Sequence, residues 1–263
     1  MAGGATVRLD DMKIDIVSVV PEYFEVMNLS LMGKAQAKGL LEIKAHNLRD
    51  WTHDVHHSVM IRQSAAGRHG DEARSVERMS GRTAGILAAS GSPAPSGAPV
   101  LIFPNPSAPL FTQRDATELS HADHLLFGCG RYEGYDARIP DYYRAQGVDV
   151  REYSIGDYVL NGGEVAVSVM LEAITRLMPG FMGNPDSIVE ESYTGEGALL
   201  EHRQYTKPAV WRGIAVPDVL LSGDHGKVDR FRRDEALART AEIRPDLIAA
   251  LDCKALDKAD RKT

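Results

Sequence analysis

The chain has 263 residues, of which 43% are hydrophobic and 25% charged, with 24 Gly, 13 Pro and 2 Cys. This balance is typical of a soluble globular protein and excludes collagen-like, disulfide-rich and wholly disordered proteins. The 30 basic and 37 acidic residues give a net charge of −7, which by itself argues against a nucleic-acid partner. Two cysteines are too few for a disulfide framework, which favours a reducing compartment.

Targeting and membrane signals are not evident in the sequence. Residues 1–11 lack the apolar segment of a signal peptide, and no stretch reaches the roughly 18 apolar residues of a membrane span. We therefore expect a cytoplasmic protein with no membrane partner.

Four short runs predict the strands of a sheet. The β-branched run at residues 14–20 ends at a proline and predicts a buried strand, followed by a helix at 23–38. Residues 100–103 lead into a proline-rich turn, whereas 124–127 and 149–155 each lead into a glycine-rich loop. Strands that alternate with helices favour an α/β domain with a mostly parallel sheet, whose ligands bind at the carboxyl ends of the strands.

The second half of the chain predicts a helix, a linker and a second domain. The helix spans residues 164–177, and its periodicity predicts one shared face for Val165, Val169, Leu171 and Ile174. Residues 178–197 are rich in Pro, Gly, Asn, Ser and acids, which is typical of a flexible linker. An α/β domain at 12–177 and a smaller helical domain at 198–263 are therefore expected.

Two glycine-rich loops are candidates for a binding site. Residues 128–134 (GCGRYEG) resemble the dinucleotide fingerprint, but Glu133 occupies the place of its third glycine and would repel phosphate, which disfavours that site. A carboxylate there suits a ligand that carries an amine or a sulfonium. In the second loop, residues 154–164, Gly162 and Gly163 allow close backbone approach before a helix begins. We expect the two loops to face each other across a pocket.

Several long motifs together closely resemble the bacterial tRNA (guanine-N1)-methyltransferases of the TrmD family. The resemblance covers about residues 13–58 and 100–250. Its motifs are KIDIVSVVPEYF, NLRDWTHDVHHSV, GCGRYEGYDAR, YSIGDYVLNGGE, the helix end RLMPG, EHRQYTKP and VPDVLLSGDH.

The resemblance implies a fold, a donor and partners. The fold is the α/β SPOUT methyltransferase fold with a deep trefoil knot that binds S-adenosyl-L-methionine, plus a small C-terminal α-helical domain. The implied partners are the anticodon stem-loop of tRNA and a second copy of the chain in a homodimer. The family is also associated with magnesium, although the sequence holds no dedicated ligand cluster.

Site residues follow from the resemblance position by position. In the family, such loops read the adenine through backbone groups and sandwich it between apolar side chains. The implied donor-binding residues are Pro104, Pro106, Gly130, Glu133, Ile155, Gly156, Asp157, Tyr158, Val159, Leu160, Gly162 and Gly163.

The implied reaction methylates N1 of the guanosine at position 37 of tRNA, 3′ of the anticodon, and it needs a base and a cation. The family places an acidic residue, commonly Asp, four positions before the tyrosine of its Y-T-R-P run, and here that residue is Glu201 before Tyr205. The family's helix arginine, Arg176 here, neutralises the negative charge that develops on O6. Lys207 stands where the motif usually has Arg, which keeps the charge but loses the bidentate geometry.

The segment at residues 60–95 departs from the family. Where the family has a glycine-rich pocket loop that begins with Asp-Asp-Thr-Pro, this chain reads MIRQ, which the codons GAT GAT ACG CCA give after one base is lost. We interpret residues 60–95 as an out-of-frame translation, and residues 1–11, which precede the family's usual start at Met12, as a start-site artefact. The alternative function is therefore a catalytically impaired tRNA-binding homologue.

Two further patterns bear on metals and on RNA. The HDVHH run at 53–57 has the residue types of a metal site, but it fits the family's non-metal segment and no Cys or carboxylate cluster supports a metal. Residues 203–244 hold nine basic and six acidic residues, so the predicted helical domain is locally basic within an acidic protein.

Overall fold

A computed structural model describes residues 12–51, 99–131, 134–184, 191–194, 198–251 and 260. The chain divides into two compact units, Met1–Gly183 and Asn184–Thr263, and each is described by itself. The predicted departure at 60–95, the HDVHH run at 53–57 and residues 1–11 all lie outside the described residues.

The first unit is built on a parallel sheet of five strands in the order β2-β1-β4-β3-β5. This confirms the predicted α/β class with a parallel sheet. The described strands are β1 (Met12–Ser18), β2 (Leu41–Asn47), β3 (Val100–Pro104), β4 (His124–Gly128) and β5 (Val150–Tyr153).

Strand β2 was not predicted from the sequence. Its residues alternate between apolar and polar types, but only Leu41 is fully buried, because β2 pairs on one side alone, with β1. An edge strand with so many polar residues resembles a loop in sequence. Its pairing with β1 depends on the tertiary fold, which the local pattern does not encode.

The predicted helix at 23–38 is instead two shorter helices. A 3₁₀ helix spans Pro21–Asn28 and helix α1 spans Ser30–Ala37. Ser30 has a φ of 51°, in the left-handed region, so the chain changes direction between the two helices. The prediction of a helical stretch at 23–38 is therefore confirmed, but the stretch is divided into two helices.

Helices pack on the sheet and form its core. Helix α4 (Gly163–Thr175) buries one face. Half of the predicted face is wrong, because Leu171 and Ile174 are buried whereas Val165 and Val169 are 46% and 47% exposed. Val167 and Met170 complete the buried face instead. The helices on the sheet are α2 (Gln113–Leu119), α3 (Arg138–Ala145) and α4 (Gly163–Thr175).

The described residues of the second unit form three helices and a two-stranded antiparallel hairpin that was not predicted. Helix α6 (His225–Ile243) begins after Asp224, whose side chain accepts a hydrogen bond from the Lys227 backbone N–H at 3.2 Å and so caps the helix. The elements are β6 (Val210–Trp211), β7 (Ile214–Ala215), α5 (Asp218–Leu221), α6 (His225–Ile243) and α7 (Pro245–Ala250). Among the residues that the structure describes, no helix is long and apolar enough to cross a membrane.

Candidate active site

A pocket of about 370 Å³ opens at the carboxyl ends of β3, β4 and β5, the edge where parallel sheets bind ligands. Of the twelve predicted donor-binding residues, Gly156 and Asp157 do not line it, and Glu133 lies outside the described residues. The other nine line the pocket: Pro104, Pro106, Gly130, Ile155, Tyr158, Val159, Leu160, Gly162 and Gly163.

The two glycine-rich loops meet at this pocket, as the sequence predicts. The Gly163 N–H donates to the Gly130 carbonyl at 2.9 Å, and Arg131 and Gly162 form a β-bridge. A Cβ on Gly163 would lie 3.2 Å from the Cα of Cys129 and 3.3 Å from the Gly130 nitrogen, which are backbone atoms that cannot easily move. A glycine at 163 therefore allows the two loops to contact each other directly.

A buried carboxylate underlies the contact between the loops. Glu164, in the first turn of α4, is 1% exposed, and its Oε1 accepts hydrogen bonds from the Ser18 hydroxyl at 2.6 Å and from Arg131 Nε at 3.1 Å. A Cβ on Gly162 would lie 2.5 Å from Glu164 Oε2 and 2.8 Å from Arg131 Nε. The glycine at 162 thus makes room for an ion pair, in addition to lining the pocket.

The same cluster disfavours ionisation of the nearby Cys129 thiol. Burial raises the pKa of the Cys129 thiol well above its usual range, and the neighbouring Glu164 carboxylate raises it further. A thiol that stays protonated is a poor nucleophile. Cys129 is therefore a buried packing residue at the pocket, and we assign it no chemistry.

A second carboxylate, which the sequence analysis missed, joins the elements around the pocket. Glu152 on β5 accepts hydrogen bonds from Asn105 Nδ2 at 3.0 Å, from the Tyr135 hydroxyl at 2.7 Å and from Arg144 Nη2 at 2.7 Å. Burial raises the pKa of Glu152, but these three donors outweigh burial and hold the pKa below its usual range. Asn105 lies between Pro104 and Pro106, which were both predicted to bind the donor. This position is the signal in the sequence that could have pointed to the Glu152 cluster.

Gly156 shapes the loop that forms one side of the pocket. Its φ of 150° disfavours other residues, and a Cβ there would lie 2.5 Å from the ring of Tyr158. The Ser154 hydroxyl bonds with both the carbonyl and the N–H of Gly156, at 3.0 and 3.2 Å, and the Tyr158 hydroxyl donates to the Ile155 carbonyl at 3.0 Å. Gly156 therefore supports the pocket without lining it.

The two predicted catalytic residues lie in different units. Arg176 directly follows α4 in the first unit and is half-buried. Glu201 lies in the second unit, where its N–H donates to the Ser192 hydroxyl at 2.9 Å and its carboxylate accepts from Gln204 Nε2 at 2.5 Å. Their joint role stays a prediction.

Metal binding gains no support from the part of the chain that the structure describes. No group of three or more His, Cys, Asp or Glu side chains is placed there to hold a metal ion. Magnesium is therefore not supported.

Comparison with known proteins identifies similar chains over almost the whole length. A family model described as tRNA (Guanine-1)-methyltransferase TrmD matches residues 12–250. A tRNA (guanine-N(1)-)-methyltransferase of Bifidobacterium longum (strain NCC 2705) is 88% identical over 255 residues, which cover 96% of this chain and 93% of that protein. Proteins of the same name from Bifidobacterium adolescentis and Renibacterium salmoninarum are 68% and 49% identical, covering 96% and 95% of this chain and 95% and 91% of their own lengths.

Proposed function

Because the chain belongs to the tRNA (guanine-1)-methyltransferase TrmD family, we propose that it transfers a methyl group from S-adenosyl-L-methionine to N1 of the guanosine at position 37 of tRNA. The observation that carries this proposal is the pocket, where nine residues implied by the sequence resemblance surround one cavity at the carboxyl edge of the sheet. The corresponding fold is the SPOUT fold with a trefoil knot, which the parallel sheet supports.

The chemistry of the pocket fits the methyl donor. Pro104, Ile155, Val159 and Leu160 supply apolar surface for an adenine ring, and backbone groups of the glycine-rich loops supply hydrogen bonds. A volume of about 370 Å³ lies within the range of ligand pockets. When bound, S-adenosyl-L-methionine supplies an electrophilic methyl group on a sulfonium.

Glu201 acts as the general base in this proposal. Guanine N1 carries a weakly acidic proton and becomes a good nucleophile when the proton leaves, so a positioned carboxylate accelerates the transfer. Glu201 is half-buried, and its backbone is fixed by Ser192, which limits the positions that its side chain can reach. The commoner Asp of the family is one methylene shorter.

Arg176 orients the base and stabilises charge in this proposal. As N1 loses its proton, negative charge develops on O6, and a guanidinium neutralises it through a charge-assisted hydrogen bond. Arg176 follows α4, the helix whose first residue, Gly163, lines the donor pocket. Methyl transfer then depends mainly on the alignment of N1 with the methyl group.

We propose that two copies form the active enzyme, because the family pairs one subunit's donor site with the other's C-terminal domain. Apolar side chains on the first unit support this proposal. Val165 and Val169 lie one turn apart on α4 with nearly half of each side chain exposed, and Val159 at the pocket is 83% exposed. A tRNA substrate also supports a cytoplasmic location.

The catalytically impaired homologue is not favoured. The relatives named as methyltransferases match 95–96% of the chain, so the similarity is not restricted to the knot and the C-terminal segments. The interpretation of residues 60–95 as out of frame stays a prediction. Sequencing of the genomic locus and peptides that span residues 60–82 will test it.

The deciding experiment is methyl transfer to tRNA transcripts with guanosine or adenosine at position 37. We expect transfer from S-adenosyl-L-methionine to the guanosine transcript alone, by this chain and by a version with the family's glycine-rich loop restored. Binding of tRNA by this chain without transfer, together with transfer by the restored version, would establish the impaired homologue instead.

A further inference from the structure

The hairpin formed by β6 and β7 presents apolar and aromatic side chains to solvent. Trp211 is 58% exposed, Val210 57% and Ile214 69%, and all four residues of the two strands are exposed. Trp211 and Ile214 are paired directly across the strands, so their side chains share one face. A two-stranded hairpin without a packed face is marginally stable in water, which indicates that a partner covers it.

The turn of the hairpin places a cation beside the indole. Arg212 and Gly213, with φ angles of 52° and 81°, form the two-residue turn between the strands, as in a type I′ hairpin. The guanidinium carbon of Arg212 lies 4.9 Å from the centre of the Trp211 ring. The guanidinium therefore lies over the ring in a cation–π contact and places a positive charge next to the indole.

The charge of the surrounding chain favours RNA as the partner. Residues 203–217 contain three basic residues and no acidic one, within a protein whose net charge is −7. Tyr205 in the same run is also exposed. Exposed aromatic rings among basic side chains are the arrangement that stacks unpaired bases and contacts their phosphates. Two strands of two residues are also too small to form a stable protein interface of ordinary size.

We propose that the hairpin Val210–Ala215 is a stacking platform for an unpaired base of the tRNA substrate, with Trp211 against the base and Arg212 at a neighbouring phosphate. This inference rests on the proposed function, since it assigns a contact of the same substrate. The hairpin does not take part in methyl transfer. It contributes to tRNA affinity.

The test uses the full-length chain and an unmodified tRNA transcript with guanosine at position 37. We expect Trp211→Ala to weaken tRNA binding about 5- to 100-fold, the range for loss of one base–aromatic stack. Trp211→Phe should recover most of the affinity because it keeps a stacking ring. Ile243→Ala, which removes a 52% exposed apolar side chain elsewhere in the second unit, should change nothing. Donor affinity and the rate at saturating tRNA should stay within twofold of wild type.

Tryptophan fluorescence gives a readout that a purely structural role would not move. The chain has two tryptophans, so Trp51→Phe leaves Trp211 as the single reporter. Stacking on a base should quench its emission when tRNA is added. For Arg212→Gln, the plot of log Kd against log salt concentration should become shallower by about 0.7, the value for one phosphate contact on a single strand.

Three results would overturn the inference. One is tRNA affinity of Trp211→Ala within twofold of wild type, and another is no quenching of Trp211 by tRNA. The third is a weaker self-association of Trp211→Ala by analytical ultracentrifugation, which would show that a second copy covers the hairpin. If the wild-type chain methylates tRNA while these results are found, the stacking platform alone is wrong. If the wild-type chain neither binds nor methylates tRNA, the proposed function is wrong.

Discussion

The donor pocket in the first unit and the residues around Glu201 in the second hold their functional groups in different ways. At the pocket, carboxylates bond to neighbours from distant parts of the chain, as Oε1 of the buried Glu164 does to Ser18 and Arg131. The half-buried Glu201 side chain contacts Gln204, three residues further along the chain. The Glu164 carboxylate is therefore held by long-range contacts, whereas the Glu201 carboxylate has a local one, although its neighbours Leu200 and Arg203 bond to Thr240 and Glu235 of α6.

This difference indicates how the two substrates are handled. Under the proposed function, the small donor binds a cavity whose loops already contact each other, which lowers the entropy lost on binding. A half-buried base with a local side-chain contact is well placed to adjust to a large RNA. Substitutions in the second region should therefore change the reaction and leave the fold unchanged, and those at the pocket should change both.

The largest effect is expected for Glu201→Ala. Loss of the base should lower the rate of methyl transfer about 10²- to 10⁴-fold with no change in the melting temperature. Glu201→Asp keeps the carboxylate that the family commonly uses, and it should retain most of the rate. Single-turnover transfer to tRNA at several pH values measures both. A Glu201→Ala rate within about tenfold of wild type, equal to about 1.4 kcal/mol of barrier, would contradict the assignment.

Arg176→Ala should have the second largest effect. Removing the cation that neutralises O6 should lower the rate about 10²- to 10³-fold and leave donor affinity unchanged. Arg176→Lys keeps the charge without the planar fork, and it should recover part of the rate. Isothermal titration with S-adenosyl-L-methionine provides the second measurement. A loss of donor affinity would show that Arg176 contributes to binding of the donor and not of the guanine.

The sequence predicted the residues that line the pocket better than the residues that hold the lining in place. The strand ends and glycine-rich loops are local patterns, so nine lining residues could be named from motifs that resemble a family. Glu152 and Ser18 could not be named, because the partners of Glu152 lie 8 to 47 positions away and Ser18 bonds to a residue 146 positions away. The predicted face of α4 was wrong for a different reason: at about 100° per residue, Val165 and Val169 lie on the side of the helix opposite Leu171 and Ile174, so the four do not share one face.

The close packing of the two loops is tested by Gly162→Ala. The added Cβ displaces the carboxylate of Glu164 or the guanidinium of Arg131, so we expect a loss of about 1 to 3 kcal/mol in the free energy of unfolding and weaker donor binding. Gly183→Ala is the matched control, because a Cβ there meets nothing within 4 Å. Urea denaturation compares the two variants. Equal stabilities would mean that the ion pair moves aside without cost.

The smallest expected effect is on the pH dependence of stability. It compares Asp15, a half-buried carboxylate of the sheet, with Asp246, an exposed carboxylate of the second unit. Asp15 on β1 bonds to Nε2 of His46 at 2.5 Å and to Nε2 of His124 at 2.8 Å. Burial raises its pKa, but the two histidines outweigh burial and hold the pKa of Asp15 far below its usual range. A bond from Arg244 also lowers the pKa of Asp246, although that carboxylate is exposed to solvent.

A carboxylate whose pKa is lowered by folding adds stability above its unfolded pKa of about 4, and that stability is lost as the pH falls below this value. The advantage of wild type over Asp15→Asn should therefore shrink by about 1 kcal/mol between pH 5 and pH 3. Asp246→Asn should follow wild type at both pH values, because solvent screens an exposed pair. Urea denaturation at the two pH values measures the difference. If the difference in free energy of unfolding between each variant and wild type is the same at both pH values, the histidines do not hold Asp15 ionised. The contrast between long-range and local contacts then does not extend to the sheet.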